Sequence, residues 1–282
     1  MSGLPVFTRG LVHIYRAEGH DVAALSGVDL DIAAGELVGL LGPSGSGKST
    51  LLTLLGGLLR PSAGKVHLGA DELSAVTEAR LDELRASTVS LMLQGAGRNL
   101  LPYLTVRENI SFAQVAAARN GVVVPRIEEV LDRFGLGAVA DQRPGALTPG
   151  HRQLAAVAVA IAPNPAVLLA DEPTSQLDHE AADLVLGAIE QVNRDLGTTV
   201  VLVTHDPAVA DRLPRTVTIR DGRIGGEGRS GEEYAVVTAD GFLPLPAHAL
   251  EDLPPGTLLR LHLVDGVYHL IPEGTQDGGT DE

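Results

Sequence analysis

Gly42-Pro43-Ser44-Gly45-Ser46-Gly47-Lys48-Ser49-Thr50 is the stretch whose reading decides the fold. It satisfies the spacing G-x-x-x-x-G-K-[ST] through Gly42, Gly47, Lys48 and Ser49. Glycines at these positions let backbone N–H groups turn inward and cradle phosphate oxygens. A lysine next to them sets a cation against the β- and γ-phosphates, and the following hydroxyl is a Mg²⁺ ligand. The flanks agree with this reading. The apolar run Leu37–Leu41 predicts a buried strand feeding the loop, and Thr50–Leu55 predicts the helix that leaves it. Lysine is rare in the chain, with only Lys48 and Lys65, which makes a lysine at this position less easily accidental.

Working outward, 282 residues suffice for one large domain or for one domain with a small appendage. A hydrophobic content of 44% marks a globular chain rather than a disordered one. The longest apolar run, Leu154–Ala170, is cut by Pro163, Asn164 and Pro165, so no stretch reaches the roughly 18–20 residues of a membrane span. Arg9, His13 and Arg16 interrupt the early apolar residues, so no secretory signal is expected and the protein is expected in the cytoplasm. The absence of cysteine excludes disulfides and cysteine zinc sites. The net charge of −15 is uneven: from Gly226 onward there are eleven acidic residues against Arg229 and Arg260. This balance argues against nucleic acid as a partner.

Along the chain, β-like runs at Val6–Tyr15 and Val28–Ile32 come first, then a short strand at 66–68. A helix leads into an apolar strand at Val89–Leu93. Thr105, with Glu108 three residues on, predicts a capping box opening a helix to Arg119. Further helices are expected at Arg126–Phe134, Arg152–Ala162 and Glu180–Leu196. Buried strands are expected at Val167–Ala170, Thr199–Val203 and Thr216–Ile219. Strands alternating with helices predict an α/β domain.

Val167–Ala170 ends in Asp171-Glu172, two carboxylates at the C-terminal end of a strand, where α/β ligand sites lie. Asp171 is placed to hold Mg²⁺, and Glu172 to orient or deprotonate an attacking water. With this pair the chain resembles the nucleotide-binding subunit of an ATP-binding cassette (ABC) transporter, over residues 5–225. The resemblance implies a P-loop NTPase (RecA-like) core with an N-terminal antiparallel β subdomain and a helical insertion at about 96–160. It implies ATP and Mg²⁺ as cofactors. The P-loop residues Gly42, Pro43, Ser44, Gly45, Ser46, Gly47, Lys48, Ser49 and Thr50 would bind ATP, with Tyr15 stacking on adenine. Lys48, Glu172, His205 and Gln94 would be catalytic, and Ser49, Gln94 and Asp171 would hold the metal. Asp178, in Ser175-Gln176-Leu177-Asp178, resembles the loop that crosses a dimer interface. Thr204-His205-Asp206 resembles the family's switch histidine.

One motif departs from the family pattern. Leu147-Thr148-Pro149-Gly150-His151 stands where the family carries Leu-Ser-Gly-Gly-Gln, a loop that closes over the partner's γ-phosphate. Thr148 keeps a hydroxyl and Gly150 an N–H, but Pro149 has no N–H and a fixed φ. His151 puts an imidazole where the family has an acid or amide. A lost donor to a transition-state oxyanion can cost about 3–4 kcal/mol, so slow hydrolysis is expected.

Past a Gly-rich stretch at 226–232, expected as a linker, residues 233–272 read as a small mainly-β domain. It weakly resembles the swapped-hairpin AbrB type, with a dimerising or regulatory role. The last ten residues, 273–282, are expected to be disordered. The resemblance implies a separate integral-membrane permease and a second ABC subunit, identical or different, as partners. It places the protein peripherally on the inner face of the membrane. Asn99–Ile110 resembles the macrolide- and lipoprotein-exporter branch, whose permeases are FtsX-like. The alternative is a regulatory or soluble ABC ATPase that dimerises on nucleotide without transport.

Overall fold

The computed structural model describes residues 3–17, 19–229, 231–237, 241, 243–245 and 249–273. In chain order the strands and helices are β1 (Val6–Ala17), β2 (His20–Ile32), β3 (Leu37–Leu41), α1 (Lys48–Leu55), β4 (Ala63–Leu68), β5 (Asp71–Glu72), α2 (Glu78–Ser87) and β6 (Val89–Met92). Then follow α3 (Val106–Arg119), α4 (Ile127–Arg133), α5 (Pro149–Ile161), β7 (Val167–Asp171), α6 (His179–Leu196), β8 (Thr199–Val203) and α7 (Pro207–Ala210). The chain continues through β9 (Arg215–Arg220), β10 (Arg223–Arg229), β11 (Glu232–Ala235), α8 (Ala249–Asp252), β12 (Leu259–Val264) and β13 (Val267–Pro272).

Two sheets organise the chain from Val6 to Ala235. An antiparallel sheet has the order β2-β1-β4-β5. A larger sheet runs β11-β10-β9-β3-β8-β7-β6, with β9, β3, β8, β7 and β6 parallel. The central strands β3, β8 and β7 are nearly all apolar because both faces are covered: β7 reads Val-Leu-Leu-Ala-Asp and β8 is buried throughout. One apolar cluster packs α1, α2 and the antiparallel sheet on one side of these strands. Another packs α3, α4, α5 and α6 on the other. Successive strand residues point to opposite faces, so Leu168 and Ala170 belong to the helical cluster and Val167 and Leu169 to the other.

The sequence-predicted capping box of α3 is present: the Thr105 hydroxyl accepts from the Glu108 N–H, and the Glu108 carboxylate accepts from the Thr105 N–H. The helix predicted from Arg152 begins earlier, at Pro149. Thr148 caps it through the His151 N–H, and proline is at home in the first turn because its missing N–H has no helical partner there.

The stretch 226–232, expected as a linker, is instead mostly strand: β10 pairs with β9 and then with β11, extending the larger sheet. Glycine weakens a strand on average, but here it is required by contact. A Cβ on Gly228 would lie 2.4 Å from the Thr216 hydroxyl oxygen. Ile224 anchors the other end of β10 in the core. The expected disordered tail lies outside the described residues from 274 onward, as does part of the segment read as AbrB-like. Its last third is a two-stranded antiparallel hairpin, β12–β13, paired from Leu259↔Pro272 to Val264↔Val267. No helix among the described residues is long and apolar enough to cross a membrane.

Candidate functional site

The loop between β3 and α1 wraps a cavity of about 640 Å³, within the range of small-molecule sites. Its lining includes Tyr15, Ser44, Lys48, Gln94, Glu172 and His205, drawn from five separate segments of the chain. All but Tyr15 come from the C-terminal ends of parallel strands or from the loop and helix that follow them.

The loop fits a polyphosphate on its own geometry. Gly42, Gly45 and Gly47 have φ of 136°, 80° and 104°, in the region that favours glycine. Side chains are also excluded by space: a Cβ on Gly42 would lie 2.1 Å from the Ile219 carbonyl oxygen, and one on Gly47 2.4 Å from that of Ala24. The Ser46 hydroxyl is buried with no hydrogen-bond partner among the described residues. Lys48 Nζ donates to the carbonyls of Gly42 and Pro43, at 2.8 and 2.7 Å, so its ammonium sits inside the loop it would share with phosphate. Burial lowers the Lys48 pKa, against the opposing pull of Glu172 and Asp171. The first turn of α1 adds its unpaired N–H groups and positive dipole end.

Asp171, the last residue of β7, is half-buried, and that desolvation pushes its carboxyl above the ordinary range although the Ser49 hydroxyl donates to it. A hydroxyl and a carboxylate brought together beside a phosphate loop form the oxygen donor set suited to Mg²⁺. Bound there, the ion would neutralise charge on the phosphates.

Glu172 follows in a left-handed conformation, φ 47°, which is uncommon for a residue with a Cβ. Its N–H donates to the Val203 carbonyl at 3.0 Å, fixing the turn to the end of β8. The side chain is gripped from both sides. Gln94 Nε2 donates to Oε2 at 2.7 Å, and His205 Nδ1 lies 3.0 Å from Oε1. The carboxylate only accepts, so Nδ1 carries a proton in this contact. Gln94, Glu172 and His205 thus form one cluster at the edge of the cavity, although 78 and 33 residues separate Glu172 from its two partners.

Tyr15 is half-exposed at the cavity rim. Its ring packs edge-on against His13, with centroids 4.7 Å apart, and its hydroxyl lies 3.3 Å from that of Thr50. Ser44 and Thr50 also line the cavity. Leu147, Thr148, Pro149, Gly150 and His151 do not: they form the entry to α5, where Gly150 faces Ala181 of α6 closely enough that a Cβ would stand 3.1 Å away. Asp178 caps α6 beside them, accepting from the Ala181 N–H at 2.8 Å. These two loops therefore share one surface, apart from the cavity that Lys48 and Glu172 line.

Sequence reasoning missed two contributors. Gly222, in the β9–β10 turn, donates its N–H to the Ser46 carbonyl and braces the phosphate loop from below. Asn99 holds the backbone around Gln94. Both act on main-chain groups, which carry no residue identity for a motif to show.

Comparison with known proteins agrees with this geometry. Residues 25–175 match the family described as ABC transporter. The chain is 42% identical over 214 residues to the lipoprotein-releasing system ATP-binding protein LolD of Anaeromyxobacter dehalogenans, covering 73% of this chain and 88% of that one. It is also 42% identical over 228 residues to the methionine import ATP-binding protein MetN of Caulobacter vibrioides, covering 80% and 67%. Among solved structures, the ATP-binding cassette MJ0796, in a dimeric post-hydrolysis state bound to ADP and Pi, superposes with a TM-score of 0.71 at 31% identity, covering 79% of this chain and 98% of that one.

Proposed function

The chain belongs to the ABC transporter family as an ATP-binding ATPase, and from that premise we propose that it energises a separate membrane permease by closing as a dimer around ATP. The observation that carries this reading is the Gln94–Glu172–His205 cluster set against Lys48 and the phosphate loop. A module that only bound nucleotide would have no use for a carboxylate held at the C-terminal end of β7 by two side chains from other strands' ends.

Glu172 is the general base or water-orienting group. Lys48 and the N–H groups of the loop stabilise charge on the phosphates. His205 and Gln94 hold Glu172 in the resting state. In a neutral ring with Nδ1 protonated, Nε2 is an acceptor. Donation from His205 to a γ-phosphate oxygen therefore needs a second ring proton or release of Glu172. Ser49 and Asp171 would hold Mg²⁺. Thr148 and Gly150 supply a hydroxyl and an N–H to the nucleotide of the partner, and Asp178 lies on the same dimer surface. Residues 99–110 favour the macrolide- and lipoprotein-exporter branch for the permease. The permease meets exposed apolar side chains of the segment that follows Gln94: Tyr103 and Phe112 are each 64% exposed, and Val115 shares the Phe112 face of α3. The protein then lies peripherally on the inner membrane face, and the segment beyond β11, within the stretch 233–272, is a dimerising or regulatory appendage.

Glu172→Gln tests the reading. The variant should retain ATP and Mg²⁺, lose at least about 10²-fold in turnover and accumulate as an ATP-bound dimer on size exclusion. Added Phe112→Asp should abolish co-purification with the membrane subunit and leave ATP affinity unchanged. Normal turnover by Glu172→Gln, or a soluble complex with no membrane protein attached, would sink the proposal.

A further inference from the structure

The strand β6 is the edge of the larger sheet and stops at Met92, yet the backbone does not fray there. Asn99 Oδ1 accepts from the Leu93 N–H at 2.8 Å. Asn99 Nδ2 donates to the Leu93 carbonyl at 2.7 Å and to the Gly95 carbonyl at 3.0 Å. One side-chain amide thus engages both main-chain groups of Leu93, as a neighbouring strand would, and then the carbonyl just past Gln94. The amide orientation is fixed by these partners, since one N–H and two carbonyls can be met by no other assignment. The short helical turn at 96–98 brings Asn99 back to this place, with its own N–H donating to the Ala96 carbonyl and that of Arg98 to Gly95. Gly95 reverses the chain at φ 83°. Gln94 is therefore flanked on both sides by peptide groups pinned to Asn99, and its side chain points from this clamp to Glu172 Oε2.

We propose that Asn99 is a positioning residue for ATP hydrolysis, acting through Gln94 by clamping the residues on either side of it. The inference rests on the reading of Gln94 and Glu172 given under Proposed function. Asn99 touches none of the reacting groups, and its effect on chemistry is the placement of the Gln94 amide. A displacement of about 1 Å in such a group can cost up to about 10²-fold in rate. A general structural role would instead lower stability and leave the rate of folded enzyme unchanged.

Asn99→Asp separates the two. It is isosteric and keeps the acceptor for Leu93 N–H, but sets an oxygen against two carbonyls in place of a donor. Steady-state ATP turnover of the full-length chain is measured for Asn99→Asp, for Gln94→Ala and for the double variant, with the thermal transition and ATP affinity as folding controls. The expected result is a fall in kcat of about tenfold for Asn99→Asp, with KM for ATP within about twofold. In the Gln94→Ala background the same substitution should cost less than about twofold, because the group it positions is gone. Asn99→Ser, which keeps one acceptor and adds no repulsion, should lie between Asn99→Asp and the parent. Equal factors in both backgrounds would overturn the inference, as would an unchanged kcat for Asn99→Asp where Gln94→Ala is slow. If Gln94→Ala itself turns over normally, the assignment of Gln94 fails and the positioning role falls with it.

Discussion

At the scale of single residues, the site is built from groups held away from their resting preferences. Glu172 occupies a left-handed backbone conformation worth roughly 1–3 kcal/mol of strain, kept in place by the Val203 carbonyl and by Gln94 and His205. Asp171 is an acid whose pKa is raised by burial, with the Ser49 hydroxyl opposing. The sign of the linkage follows: without metal or nucleotide, the folded chain holds that proton more tightly than the unfolded chain does. The stability this contributes is full below the ordinary carboxylate pKa of about 4 and is lost as pH rises through the raised value. Asp171→Asn should therefore raise the melting temperature of the nucleotide-free chain near pH 7, and the gain should shrink toward about pH 4. The same variant should lose the extra stabilisation that Mg²⁺ adds to ATP. Thermal denaturation from about pH 4 to pH 8, with and without Mg²⁺ and ATP, reads both effects. A lower melting temperature than the parent at neutral pH would contradict this account. Residues of this kind were legible in the sequence because each chemistry sits at the end of an apolar run: Lys48 after Leu37–Leu41, Asp171 and Glu172 after Val167–Ala170, His205 after Thr199–Val203. Asn99 and Gly222 were not legible, since they work by hydrogen bonds to main-chain atoms that carry no residue identity.

At the scale of elements, the informative cases are those where packing and pattern diverge. Gly226 and Gly228 read as linker residues, yet β10 is a sheet strand: it pairs with β9, Ile224 is buried, and a Cβ on Gly228 would crowd the Thr216 hydroxyl. A two-residue alternation cannot be seen where glycine replaces the side chains that would display it. Helix α5 is the converse case. Pro149 is a departure from the family loop, but the helix itself welcomes it in the first turn, after the Thr148 cap. Any cost of Pro149 thus falls on function, through the N–H that proline lacks at the helix entry. Pro149→Gly should raise ATP turnover, by up to about 10²-fold if that N–H faces the partner's γ-phosphate. It should also lower stability by about 0.4–1 kcal/mol, because glycine frees the unfolded chain. Turnover and urea denaturation of the same preparation measure the two together. An unchanged rate with the expected loss of stability would show that Thr148 and Gly150 suffice, and slow hydrolysis would then have no basis in this loop.

At the scale of the whole molecule, stability is concentrated in one part of the chain. The two apolar clusters reach from Val6 to Ile224 and include no residue of α8, β12 or β13. Arg215 joins the two sheets within that part, donating to the Asp31 carbonyl, to Glu36 and to Glu227. The hairpin β12–β13 is different. Leu259, Leu261 and Leu263 pair with Pro272, Leu270 and Tyr268, so six apolar side chains share one face, and Leu261 and Tyr268 are 65% and 69% exposed. Two strands alone are marginal in water, and a third strand or a packed surface is needed for lasting order. A dimerising role for this segment then makes a definite prediction. A chain ending after Val237 should keep the parent's melting temperature within about 2 °C and its ATP affinity, since the clusters are intact. Light scattering without nucleotide should give a monomer for the shortened chain and a dimer for the full one. ATP should close both on equal terms in the Glu172→Gln background, because that closure belongs to the surface carrying Thr148, Gly150 and Asp178. A full chain that is monomeric without ATP would remove the dimerising role and leave the hairpin a regulatory one.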